Sequence, residues 1–336
     1  MFSIATPPAF YWRRLHSFMG LFLVLFLIEH LLTNSQAALF IGDDGKGFVH
    51  AVNFLHSLPY LPLIELFLLV PPFLVHAIWG VMYIFTSKAN SSKSDGSLPA
   101  LGKYSRNRAY TWQRLSSWIL IVGLLLHVFQ MRFWNYPAEA SVDGSHYYMS
   151  RVTLDSGLYT LSDRLGAEIF DGDRIDAEVA ELNRMGKGSV ANDSLDLSWE
   201  TFVKGPKGEA YDAKDEVALK KEQARLQQKG WVKALKKRPL RAGEVIVVSE
   251  QFGQAVLLMV RDTFKIPAMM LLYTLFVLAA AFHAFNGFWT FLITWGLILT
   301  QASQLIMRRL SYGLMALLAF WGLAAIWLTY WVNLKG

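Results

Sequence analysis

PAMMLLYTLFVLAAAFHAFNGF, residues 267–288, decides how this chain is read. No charged side chain interrupts it, and a bilayer core of about 30 Å needs roughly 20 apolar helical residues to be crossed. An ionisable residue nonetheless lies deep inside the run, His283. Four further stretches share its length and character, at about 15–34, 61–85, 115–134 and 311–333. With 54% hydrophobic residues and a mean hydropathy of +0.30, the expectation is an all-α membrane protein built as a five-transmembrane-helix bundle.

Between the third and fourth apolar runs lies a polar stretch too long for an ordinary connection. The chain therefore divides into residues 1–137, with helices one to three, a water-exposed insert at 138–260, and residues 261–336, with helices four and five. The insert reads as a small α+β unit. Its first part is acidic, with a strand expected at Tyr147 to Leu161; Asp215 to Arg241 reads as a basic helix broken at Gly230; Glu244 to Val260 is β-branched and apolar.

The net charge of +6 hides a division, since the insert holds 20 of the 26 acidic residues and 17 of the 32 basic ones. The basic residues outside it flank apolar helices and line no single solvated face, which argues against a nucleic-acid partner. Arg13 and Arg14 precede helix one, Lys88, Lys93, Lys103, Arg106, Arg108 and Arg114 fill the loop between helices two and three, and Arg308 and Arg309 precede helix five. These ten share one side of an alternating topology, against Lys46, Arg132, Arg261, Lys265 and Lys335 on the other. The excess places the N-terminus in the cytoplasm and the insert outside. An export signal beginning at Arg13-Arg14 fits less well, because the run that follows is long. With no cysteine, the chain has no c-type heme attachment, cysteine-held iron-sulfur cluster or disulfide of its own.

Each of the first four helices carries one deep histidine: His30, His76, His127 and His283. At about 1.5 Å per residue, His30 and His127 lie roughly 20–24 Å from the cytoplasmic end, in the outer half. His76 and His283 approach from the other side and share the inner half. Intramembrane ionisable groups need a reason. Two histidine pairs at two depths are what two bis-imidazole hemes require, whereas other histidine metal sites gather carboxylates or three or more ligands at one depth. Glycines one turn from a histidine, Gly80 after His76 and Gly287 after His283, would let a flat macrocycle approach the backbone. A bc-type cytochrome needs two helices with paired ligands; only helix one, with His16 and His30, has that spacing. A non-redox transporter would bind no heme at all.

Arg13-Arg14-Leu15-His16-Ser17, Glu29-His30-Leu31, Ser57-Leu58-Pro59, His76-Ala77, Gln113-Arg114-Leu115, His127-Val128 and Phe282-His283-Ala284-Phe285-Asn286-Gly287-Phe288-Trp289 followed by Thr294-Trp295-Gly296 resemble the diheme cytochrome b subunit of succinate dehydrogenases and fumarate reductases. The resemblance covers the first four helices and leaves out the insert. It implies two b hemes, with His30 and His127 ligating the outer and His76 and His283 the inner one, and with His16 and Ser17 near inner-heme propionates. It further implies a flavoprotein subunit with FAD, an iron-sulfur subunit docked on the cytoplasmic face, a bacterial inner membrane, and quinone as substrate, menaquinone being the expectation. Where fumarate-reducing relatives carry a glutamate two residues before the fourth-helix histidine, this chain has Ala281, which favours succinate oxidation. A quinol-oxidising fumarate reductase, or the cytochrome b anchor of another respiratory dehydrogenase, is the alternative. Two hemes in series would put quinone at the outer side, where Glu29, His56 and Glu65 are the candidates to bind its carbonyls and supply protons.

Overall fold

The structure is a computed structural model and describes residues 8–86, 101–187 and 213–336. Among them, five helices are long and apolar enough to cross a membrane. They are α1 (Pro8–Leu39), α3 (Leu61–Thr86), α4 (Ser105–Val128, continued by a π-helical turn at Phe129–Trp134), α9 (Pro267–Thr294) and α10 (Gln301–Trp327). The bundle of five is as the hydropathy predicts. A short helix, α2 (Lys46–His56), follows α1 and was not foreseen.

The helices outrun their apolar cores. Arg13 and Arg14 lie within α1, Arg106, Arg108 and Arg114 within α4, and Arg308 and Arg309 within α10, not in the connections where the sequence reading put them. In α10 the polar start is stabilised by a side-chain cap. Thr300 begins α10, its Oγ1 accepting from Ser303 N at 3.1 Å. Lys88 and Lys93 fall outside the described residues.

By contacts the chain forms two compact units, Met1–Asn135 with Val260–Gly336, and Tyr136–Met259. In the first, α9 packs along α10, α4 and α1, and α1 also packs on α3. Small residues bring these helices close: Ala279, Ala280, Ala281 and Ala284 are buried on α9, and a Cβ added at Gly322 on α10 would collide with Val277. Likewise a Cβ at Gly123 on α4 would collide with the Phe276 ring. Position 281 lies in an apolar cluster with Val24, Leu31 and Leu318. The alanine there fills a closed space in which a carboxylate would be costly.

The second unit is an antiparallel sheet, ordered β1-β2-β4-β3, with helices. Strands β1 (Ala138–Val142) and β2 (Ser145–Thr153) form a hairpin through Asp143 and Gly144, both left-handed, the geometry of a tight hairpin turn. The expected strand ends at Thr153. Asp155 then caps α5 (Ser156–Leu165) by accepting from Gly157 N at 3.1 Å, and left-handed Gly166 closes it. Strand β3 (Glu168–Phe170) and α6 (Gly172–Lys187) follow.

The basic segment is one helix, α7 (Ala213–Leu235), unbroken at Gly230. A helical glycine costs only about 1 kcal/mol, and the next residue, Trp231, packs with buried Leu235 against Phe170, Ile246 and Val248 of the sheet. The apolar run from Glu244 divides into β4 (Glu244–Ser249) and α8 (Phe252–Phe264). Successive residues Val245 to Val248 are all buried, as befits a central strand covered on both faces.

Candidate heme-binding and quinone residues

The structure brings the four deep histidines together in two pairs. His30 on α1 and His127 on α4 have ring centroids 5.8 Å apart, and His76 on α3 and His283 on α9 have theirs 6.0 Å apart. Two imidazole–metal bonds of about 2 Å each, with the two ring radii, span roughly 6 Å. The planes within the pairs meet at 81° and 76°. Such crossing is permitted to ligands that share one nitrogen–metal–nitrogen axis, because each ring turns freely about it.

Hydrogen bonds occupy Nδ1 in three of these rings and leave Nε2 for a metal. His76 Nδ1 lies 3.0 Å from the His16 carbonyl oxygen. His127 Nδ1 lies 3.2 Å from Tyr273 Oη, and His283 Nδ1 lies 3.2 Å from Ser116 Oγ. A metal-binding imidazole usually gives its second nitrogen to such an oxygen. His30 stacks at 5.4 Å on Phe26, one turn earlier.

The end of the bundle that holds His76 and His283 is rich in polar groups. The His16 ring stacks on His76 at 4.1 Å and 10°, and Trp12 stacks on Trp79 at 4.2 Å one turn away. Gln113 Nε2 donates to the His283 carbonyl at 3.3 Å, and Asn286 Nδ2 donates to Gln113 Oε1 at 2.9 Å. Among the described residues, His16 Nδ1, Arg114 Nε and Trp289 Nε1 are buried without a hydrogen-bond partner. Orphaned buried nitrogens are costly. A heme's propionate carboxylates are the sort of acceptor they would suit, so the donors present fit the group. Ser17 follows His16, half-buried.

Gly80 and Gly287 meet only ordinary protein contacts, a Cβ there lying 3.8 Å from His16 and 3.9 Å from Gln113. The tight glycine is another one, Gly20. A Cβ on it would stand 2.9 Å from His76 Cε1 and 3.0 Å from its Nδ1. Sequence reasoning missed Gly20, Tyr273 and Ser116, and the roles of Gln113 and Trp289. For Gly20 the signal was its place one turn after His16; for Tyr273 and Ser116, hydroxyls within apolar runs.

The quinone candidates are placed as follows. Glu29, exposed on α1, accepts from Thr33 Oγ1 at 2.9 Å in its own helix. Glu65 on α3 accepts from Arg132 Nη2 at 3.2 Å, so the carboxylate has a counter-charge from the turn after α4. His56 ends α2.

Comparison with known proteins returns one relative of telling name. The chain is similar to a succinate dehydrogenase cytochrome b558 subunit. That protein, from Bacillus subtilis, is 35% identical over 124 residues, which make up 37% of this chain and 55% of the relative. The chain thus spans about half the length of the curated relative it matches. No family model and no solved structure matches the chain.

Proposed function

We propose that this chain is the membrane-anchor cytochrome b of a succinate:quinone oxidoreductase. In this reading it receives electrons from a cytoplasmic iron-sulfur subunit and passes them through two b hemes to membrane quinone, specifically menaquinone, while a flavoprotein partner with FAD oxidises succinate. The observation that carries the proposal is the pair of histidine pairs, each about 6 Å between rings, on four helices. The similarity to a subunit named for succinate dehydrogenase supports it.

The hemes, when bound, supply two one-electron carriers at two depths of the bilayer. The protein's part is to hold and surround them. His30 and His127 offer nitrogen lone pairs to one, and His76 and His283 to the other. His16, Ser17, Arg114 and Trp289 offer donors to the carboxylates of the group between His76 and His283. A heme held by two histidines would serve electron transfer and would not bind oxygen. Glu29, His56 and Glu65 bind the quinone carbonyls and deliver protons to them. The arginines and lysines at the helix ends put the N-terminus in the cytoplasm of a bacterial inner membrane and residues 138–260 outside it.

Heme extracted from the purified complex is expected at two noncovalent b hemes per chain. Replacing His76 or His283 with alanine removes one of them, and replacing His30 or His127 removes the other. Fewer than two hemes in the parent, or loss of the same heme in all four variants, overturns the reading. Glu29→Gln, His56→Gln and Glu65→Gln are each expected to slow quinone reduction while succinate still reduces the hemes. Normal quinone turnover in all three, with both hemes present, removes the quinone site.

A further inference from the structure

Three oxygen atoms meet the Nδ1 atoms of His76, His127 and His283, and in each case the direction of the hydrogen bond follows from what else that oxygen does. The His16 carbonyl 3.0 Å from His76 Nδ1 has no proton to give, so it accepts. Tyr273 has one hydroxyl proton and donates it to Gln130 Oε1 at 3.1 Å. Its oxygen is then the acceptor for His127 Nδ1–H at 3.2 Å. Ser116 spends its proton on the Gln113 carbonyl at 3.0 Å, one turn back in α4, and accepts from His283 Nδ1–H at 3.2 Å. All three imidazoles therefore carry their proton on Nδ1 and present an unprotonated Nε2.

We propose that Tyr273 and Ser116 are positioning residues, one for each histidine pair, which fix the tautomer of His127 and of His283 and raise the electron donation of each ring to the metal it binds. The inference rests on the heme reading given above. Tyr273 acts through a relay, His127 Nδ1–H to Tyr273 Oη–H to Gln130 Oε1, whose far end lies in the π-helical turn after α4. Ser116 acts through a shorter one that ends on backbone. Among the described residues no such acceptor meets the ring of His30, so in its pair the whole effect falls on His127. An imidazole that shares its Nδ1 proton with an oxygen is the more basic ligand and favours the ferric state. Removing the oxygen should raise the potential of that heme and leave the other unmoved.

The test is a potentiometric titration of both hemes in membranes carrying the whole complex. Tyr273→Phe is expected to raise one midpoint and Ser116→Ala the other. The expected shift is about tenfold in the ferric-to-ferrous ratio at a fixed potential, or about 59 mV for one electron. Ser116→Thr keeps a hydroxyl and is expected to restore the parent value, which a side chain that only filled space would not require. Should Tyr273→Phe empty its site, Gln130→Leu decides the matter, because it keeps the phenol and frees its proton: the same midpoint must move. Two hemes at full content with neither midpoint moved, or both variants moving the same heme, overturns the proposal. A parent complex with fewer than two hemes is the separate failure of the heme reading.

Discussion

Gly20→Ala puts one methyl group against a histidine that has nowhere to go. The new Cβ would stand 2.9 Å from His76 Cε1, whereas carbon atoms rest at about 3.5–4.0 Å. The ring must retreat by roughly 0.6 Å or more on that measure. Two contacts resist: Nδ1 is held at 3.0 Å by the His16 carbonyl, and the ring is stacked at 4.1 Å on His16. Overpacking of this kind costs about 1–3 kcal/mol, and the better helix propensity of alanine returns about 1 kcal/mol. The net cost is up to about 2 kcal/mol, or roughly 30-fold in an equilibrium. We expect the heme between His76 and His283 to leave for an excess of apoglobin faster, by up to about 30 times, with the second heme unaffected. Gly313→Ala, where an added Cβ meets nothing within 4 Å, is the control and is expected to behave as the parent. Retention of both hemes at parental rates in Gly20→Ala, or earlier loss of the heme between His30 and His127, would refute the reasoning.

Arg261→Met removes a fully buried guanidinium that donates to the Leu334 carbonyl at 2.6 Å and sits over the Tyr330 ring. Thermal unfolding of the purified chain should show a loss of about 1.5–3 kcal/mol, the usual worth of a charge-assisted hydrogen bond. Ile246→Ala opens the core of the sheet beneath Trp231, at a cost of about 2–5 kcal/mol. Limited proteolysis should then cut within residues 136–259 faster while both hemes stay bound. Glu65→Gln breaks an ion pair whose side chains are 41% and 44% exposed. Exposed pairs contribute about 0–1 kcal/mol, so the melting temperature should hardly move, and any fall in quinone turnover then reports chemistry and not folding.

The membrane helices were legible because crossing a bilayer demands a long apolar run, and each deep histidine stands out against one. Depth counted from the flanking charges paired His30 with His127 and His76 with His283, and the rings lie together in those pairs. The polar partners were not legible. Tyr273 and Ser116 reach their histidines from other helices, 146 and 167 positions away, at spacings that no local period encodes. In the insert, composition gave the mixture of strands and helices but misplaced the junctions. Asp155 and Gly166 bracket α5 with a capping signal that was there to be read. Between β4 and α8 the apolar character continues across the junction, so hydropathy alone marks no boundary.

Asn333, just beyond α10, donates to the Ala37 carbonyl at 2.9 Å and accepts from Gly42 N at 2.8 Å. Those two groups lie at and just beyond the end of α1, where helix geometry leaves carbonyls without partners. Their only side-chain answer among the described residues comes from a position nearly three hundred residues later. The end of α1 is therefore completed only by residues that follow α10. A buried backbone group left without its partner costs about 1–3 kcal/mol, so Asn333 ties the stability of the end of α1 to that of the segment after α10.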